Sequence, residues 1–136
     1  MRISKKTQYG LRAMVYLANP QLKNRVCPLK KISQDEGIPF DFLGKIFSKL
    51  EKANLIKAKK GVQGGYFLAK NPQKIKISQI IKILEGEMAP VFCLIKGKRF
   101  FCPRERKCLT KKLWKKLKNC LNSTLNSITL ADLIKK

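Results

Sequence analysis

The sequence of 136 residues predicts a mainly α-helical protein with one small β-hairpin. Three observations predict it. Apolar residues recur at helical spacing through most of the chain, as at Leu43, Ile46, Phe47 and Leu50. Two short strand-like stretches, 55–60 and 66–69, flank the glycine-rich Gly61-Val62-Gln63-Gly64-Gly65. A single long apolar stripe runs through the last quarter. With 44% hydrophobic and 29% charged residues the chain is globular, long enough for one domain with a core or for one domain plus an oligomerisation arm.

The first helix spans 4–19, with Ser4 as its N-cap and Asn19-Pro20 as its stop. Its second half, from Leu11 to Ala18, is apolar nearly all round, which asks for burial on several sides. After a polar loop at 21–25, Cys27-Pro28 opens a short second helix to about Glu36, with Leu29 and Ile32 inward. Cys27 stands alone in sequence, and packing or mild exposure is expected of it and not ligation. Gly37 sits one past that helix, where a left-handed backbone is usual, and Pro39 starts a third helix from its first turn. The third helix buries Leu43, Ile46, Phe47 and Leu50 and turns Phe40, Asp41, Lys45, Ser48, Lys49 and Lys52 the other way. Helix, short glycine turn and helix with a basic outer face form a helix-turn-helix signature. Any αα-hairpin with a solvated lysine face shares that pattern. The hairpin that follows, charged by Lys57, Lys59 and Lys60, tips the reading to a winged helix.

Asn71-Pro72 is a turn. Ile77, Ile80, Ile81 and Leu84 mark another amphipathic helix, with Ser78 as cap and Gly86 as stop, closing the core of the winged helix. The long C-terminal stripe is Leu109, Leu113, Trp114, Leu117, Cys120, Leu121 and Leu125, with lysines opposite. Nothing after it is large enough to cover it, so burial against another chain is expected, with Cys120 packed on that stripe. Thr129 to Asp132 reads as the capping box of a final turn.

The net charge of +23 and the absence of histidine bound the function. Phosphate neutralisation makes nucleic acid the first partner to consider; a membrane surface and an acidic protein come after it. Without histidine there is no Ser-His or Cys-His nucleophile pair and no histidine-based zinc protease site. Asp35 and Glu36 are adjacent, so on a helix they diverge by about 100°. No enzyme is expected. The apolar run near the N-terminus is too short for an export signal, and no run approaches the ~18 residues of a membrane span. The expectation is a cytoplasmic protein whose thiols stay reduced.

Three of the five cysteines, Cys93, Cys102 and Cys108, fall in one basic loop with gaps of eight and five residues. Neither gap is helical, so the three do not line one face of a helix. Such a loop suits a soft metal or an iron–sulfur cluster, or else a set of small buried apolar residues.

Taken in order, these pieces resemble the IscR/NsrR-like (Rrf-two) family of winged-helix transcriptional regulators. The resemblance rests on Met1-Arg2-Ile3-Ser4, on 42–50 (FLGKIFSKL), on Lys60-Gly61-Val62-Gln63-Gly64-Gly65-Tyr66, on 108–114 (CLTKKLW) and on 128–133 (ITLADL). It implies a homodimer on a pseudo-palindromic DNA operator, joined by a long C-terminal dimerisation helix, with no membrane partner. It also implies an iron–sulfur cluster, 2Fe–2S or 4Fe–4S, on Cys93, Cys102 and Cys108. Relatives often have five residues in the first gap, so here the loop must bulge. They commonly place a histidine where this chain has Lys111, which leaves Glu105 or Gln8 of the partner subunit as candidate fourth ligands. Matching positions put Phe40, Lys45 and Lys49 toward the major groove and Lys60 and Gln63 toward the minor groove, with Arg2 and Lys59 adding charge.

The resulting expectation is a DNA-binding domain at 1–86, a cluster loop at 87–108, and a dimerisation helix with tail at 109–136. The alternatives are a cluster-free regulator of the same fold, using thiols, zinc or a small-molecule effector, and a general basic nucleic-acid binder.

Overall fold

The computed structural model describes residues 2–22, 25–97 and 102–135. Helix α1 (Lys5–Leu17) begins where Ser4, extended at φ −66° and ψ 158°, accepts the Thr7 N–H on its hydroxyl. Helix α2 (Leu29–Glu36) ends at Gly37, whose φ of 64° suits a residue without Cβ and turns the chain into the next helix. Helix α3 (Phe40–Lys52) follows, with Pro39 as the cap residue, one position before the expected first turn. Its Leu43, Ile46, Phe47 and Leu50 are all buried.

Strands β1 (Ile56–Lys59) and β2 (Gly65–Leu68) pair antiparallel, Ile56 opposite Leu68 and Lys59 opposite Gly65. Residues 60–64 make the wing tip. Beyond β2 lies Cys27, which exchanges both backbone hydrogen bonds with Tyr66 at 2.9 and 2.8 Å. The approach is close: a Cβ on Gly65 would stand 2.3 Å from the Cys27 carbonyl oxygen. Cys27 is therefore buried as part of the joint that fastens the wing to the helices.

Helix α4 (Ile77–Glu85) packs Ile77, Ile80, Ile81 and Leu84 into the core. It starts two residues earlier than a Ser78 cap would allow. Lys76 is extended because it bridges Thr129, and the Gln79 side chain reaches back to accept the Lys76 N–H at 2.9 Å. Helix α5 (Lys111–Ser127) has no buried residue, whereas the short α6 (Leu130–Ile134) returns to the body. Two backbone bonds, Ile77 N–H to Ile128 O at 2.9 Å and Leu130 N–H to Ile75 O at 2.8 Å, seat Leu130 fully inside.

One core thus joins α1 to α4, β1 and α6. Met14, Ile32, Phe47, Ile80 and Leu130 are among its fully buried members, and Phe47 meets Tyr66 edge-on with ring centroids 4.9 Å apart. By contrast, no described residue between Leu84 and Leu130 is buried. On α5, Leu113 is 56% exposed and Leu117 38%. Cys120, expected to pack, is exposed, because the stripe it shares lies outside the core of this chain. Among the described residues no helix is long and apolar enough to cross a membrane.

Candidate nucleic-acid interface and cysteine site

Burial of one face of α3 dictates what its other face presents. With Leu43, Ile46, Phe47 and Leu50 inward, Lys45, Ser48, Lys49 and Lys52 are exposed, and Phe40 at the start of the helix is 50% exposed. Lys45 and Lys49 lie four residues apart, hence on one side of the helix. Phe42 leans back on Tyr9 of α1 with ring centroids 5.7 Å apart. On the hairpin, Lys57, Lys59, Lys60 and Gln63 are exposed, and Val62 stands fully clear of the protein at the tip. Arg2 and Lys5 are exposed at the start of α1.

The structure adds a residue that the sequence did not single out. Lys6 lies against Lys49, and this neighbouring ammonium holds Lys49 below the ordinary lysine value. Neither makes an ion pair among the described residues. Two cations pressed together on an exposed face lower their free energy when a phosphate comes between them. The two lysines are far apart in sequence and meet only because α1 packs on α3, so no local pattern could have signalled the pair.

The start of α1 is fixed from below by α4. The Glu85 carboxylate accepts the Ser4 hydroxyl at 2.6 Å, the Thr7 hydroxyl at 2.5 Å and the Ser4 N–H at 3.3 Å. These bonds, those of Ser4 first, hold Glu85 below the usual glutamate range, and they satisfy Thr7, which is fully buried.

The cysteine segment is built differently. Cys93 lies in a short 3-10 turn, Phe92–Leu94, and lines a cavity of about 640 Å³ together with Lys96, Glu105, Lys111, Lys115 and Lys118. Cys108 opens on a second cavity, beside Pro103, Arg104 and Lys107. The Thr110 hydroxyl, 3.2 Å from Cys108 Sγ, heads the causes that lower this thiol's pKa. Cys102 is half-buried, and its carbonyl oxygen accepts the Glu105 N–H at 3.1 Å. The first cysteine gap, 94–101, in which a bulge is expected, includes 98–101, which lie outside the described residues.

Of the candidate fourth ligands, Glu105 is met by the Lys111 ammonium at 3.2 Å, and the Gln8 amide donates to the Ile3 carbonyl oxygen at 2.8 Å. Chemically the donor set suits a soft metal or a cluster, since three thiols sit in a basic segment and one is biased toward thiolate. Geometrically the set is not gathered: among the described residues no three Cys, His, Asp or Glu side chains group as a metal site. The thiols fit such a group without being assembled around it.

Comparison with known proteins agrees with the winged-helix architecture. A family model described as Rrf2, an iron-dependent transcriptional regulator, matches residues 3–136. The regulator IscR of Vibrio campbellii is 35% identical over 135 residues, covering 99% of this chain and 78% of that one. Among solved structures, T. potens IscR matches with a TM-score of 0.77 at 35% identity, covering 98% of this chain and 86% of the other. CymR, described as the global cysteine regulator of B. subtilis, matches with a TM-score of 0.77 at 32% identity, covering 98% and 96%. None of these relatives is an enzyme. The chain belongs to the Rrf2 family, and it is an IscR-like transcriptional regulator.

Proposed function

We propose that this regulator grips an operator duplex as a homodimer, and that an iron–sulfur cluster on Cys93, Cys102 and Cys108 sets the strength of that grip. The observation that carries the reading is the concentration of three thiols in a basic segment none of whose described residues is buried, directly before the exposed stripe of α5. A segment without a core of its own takes its shape from what it binds. When bound, the cluster would supply iron reactive toward oxygen or nitric oxide.

The remaining steps belong to the chain's own residues. Phe40, Lys45 and Lys49 face the major groove, and Lys6 joins Lys49 on the phosphate backbone. Lys59, Lys60 and Gln63 bring the wing to the minor groove, with Lys60 as the charge nearest the tip, and Arg2 adds a cation at the start of α1. Leu113 and Leu117 meet their counterparts in a second copy. A second reading, a cluster-free regulator using its thiols directly, is favoured by the separation of Cys93 and Cys108 into two cavities.

One experiment separates the two. The protein is purified without oxygen, iron and sulfide are counted per chain, and operator binding is measured before and after cluster loss. Stoichiometric iron with a change in affinity is the expected result. Iron-free protein that still binds its operator would leave the cluster-free reading standing.

A further inference from the structure

Helix α5 reaches the cysteine segment through one lysine. The Lys118 ammonium donates to Glu87 Oε1 at 2.6 Å and to the Leu94 carbonyl oxygen at 2.8 Å. The other Glu87 oxygen accepts the Lys96 N–H at 2.9 Å. The backbone just after Cys93 is therefore held at two points: the carbonyl next to it by Lys118, and the N–H three residues on by Glu87. Both anchors stand on the helical frame. Glu87 comes two residues after the end of α4, and Lys118 lies within α5. The Lys118 side chain is 15% exposed, against 30% for its partner Glu87, so the pair sits at the surface with its lysine end partly withdrawn from water.

The stretch carrying the other two thiols is held differently. Its bonds include Glu105 N–H to Cys102 O and Lys107 N–H to Arg104 O within the stretch, Cys108 with Thr110, and Glu105 with Lys111 in the first turn of α5. An exposed ion pair contributes little to stability. A partly desolvated pair that also grips two backbone groups acts chiefly on geometry.

We propose that Glu87 and Lys118 are positioning residues for the cysteine site, holding the Cys93 turn against α4 and α5 as the fixed point to which Cys102 and Cys108 are brought. The inference rests on reading those three cysteines as the ligand set. It differs from that reading in giving the thiols unequal parts, one preset by the frame and two recruited.

The test uses the full chain, loaded with iron and sulfide without oxygen, as wild type and as Lys118→Met, Glu87→Gln and Lys118→Arg. The readouts are the rate of iron release to a chelator, followed by cluster absorbance, and amide exchange of 92–97 in cluster-free protein. Residues that support metal ligands from behind typically change metal affinity by 10–100-fold when altered, so Lys118→Met and Glu87→Gln should each release iron at least about tenfold faster. Exchange should quicken at 94–96 and stay unchanged in α1 to α4. Lys118→Arg, which keeps the charge and the donors, should restore both.

Wild type that loads, with Lys118→Met and Glu87→Gln holding iron to within about twofold of it, would overturn the clamp alone, since supporting residues of this kind act more strongly. Quickened exchange without faster iron release would make the contact merely structural and overturn it likewise. A wild-type chain that takes up no iron would overturn the ligand reading and this inference together.

Discussion

The winged-helix head and the cysteine segment sit side by side in one chain and are held by opposite means. The head is ordered by burial: side chains from six elements interlock, and the lysines of α3 proposed to face DNA are carried on a helix whose buried inner face turns them outward. Residues 87–97 and 102–110 hold no fully buried side chain, though Met88 leans on the core, and polar contacts such as Glu87 with Lys118 and Glu105 with Lys111 tie them to the helices. Ordering a residue costs about 1–2 kcal/mol of backbone entropy. Hydrophobic burial offsets that cost in the head, whereas polar contacts at a wet surface offset little of it. The difference teaches that the head is shaped by its own burial, whereas the cysteine segment, on the reading proposed above, would take its shape from the ligand it meets.

The strongest way to break that contrast is in the core. Phe47 is fully buried and stacked edge-on against Tyr66, so Phe47→Ala should cost about 3–5 kcal/mol of unfolding free energy. Arg104→Ala, in the exposed cysteine segment, should change stability by no more than about 0.5 kcal/mol. Denaturant titration of both variants checks the pair. Equal losses would show that the segment shares the core's stability.

The cysteines carry the same comparison in one residue type. Cys27 is 5% exposed and burial raises its thiol pKa, so Cys27→Ser places a hydroxyl in an apolar joint and should cost about 1–3 kcal/mol. It should leave iron content unchanged. Cys93→Ser, Cys102→Ser and Cys108→Ser should do the reverse, removing most of the iron while the melting of cluster-free protein stays near wild type. Iron analysis beside thermal melting separates the two classes of cysteine.

Much of the head was legible in the sequence because its determinants are local. The apolar spacing of α3, Gly37 between two helices and the glycines of the wing each specify a backbone within a few residues. The start of α4 was misread at Ser78 because Lys76 is held by Thr129, a partner from the far end of the chain. Ser4 with Glu85, Lys6 with Lys49 and Lys118 with Glu87 were invisible for the same reason, since only tertiary packing makes them neighbours. For the cysteine site the sequence showed which donors are present. Their arrangement was not legible, because no burial pattern or periodicity acts on that segment.

A smaller effect sharpens the picture of the DNA-facing surface. Each phosphate contact removed should reduce the slope of log affinity against log salt by about 0.9. Lys60→Ala should lower the slope by one such step and weaken operator binding. Lys6→Ala and Lys49→Ala, which share one crowded spot, should together lower it by less than two. Footprint titrations across salt concentrations test this. An unchanged slope for Lys60→Ala would remove the wing from the interface.

The smallest expected effect concerns Glu85, the residue at the end of α4 that ties down the start of α1. Its carboxyl pKa is lowered in the folded chain by the Ser4 and Thr7 hydroxyls. Stabilisation from a lowered carboxyl is fully present above its unfolded value, ~4.3 for glutamate, and is lost as pH falls through the folded value. Glu85→Gln keeps an acceptor for the hydroxyls but has no charge to titrate. The stability gap between wild type and Glu85→Gln should therefore be widest near neutrality and close steadily below pH ~4.3. Thermal melts across that range measure it. A gap that stays constant with pH would mean that packing around Thr7, and not the charged carboxylate, secures the start of α1. Glu87, across Gly86, is lowered in the same way by Lys118 and the Lys96 N–H. Two carboxylates, one at the end of α4 and one just beyond it, thus fasten the two unlike regions to that helix, and acid should loosen both.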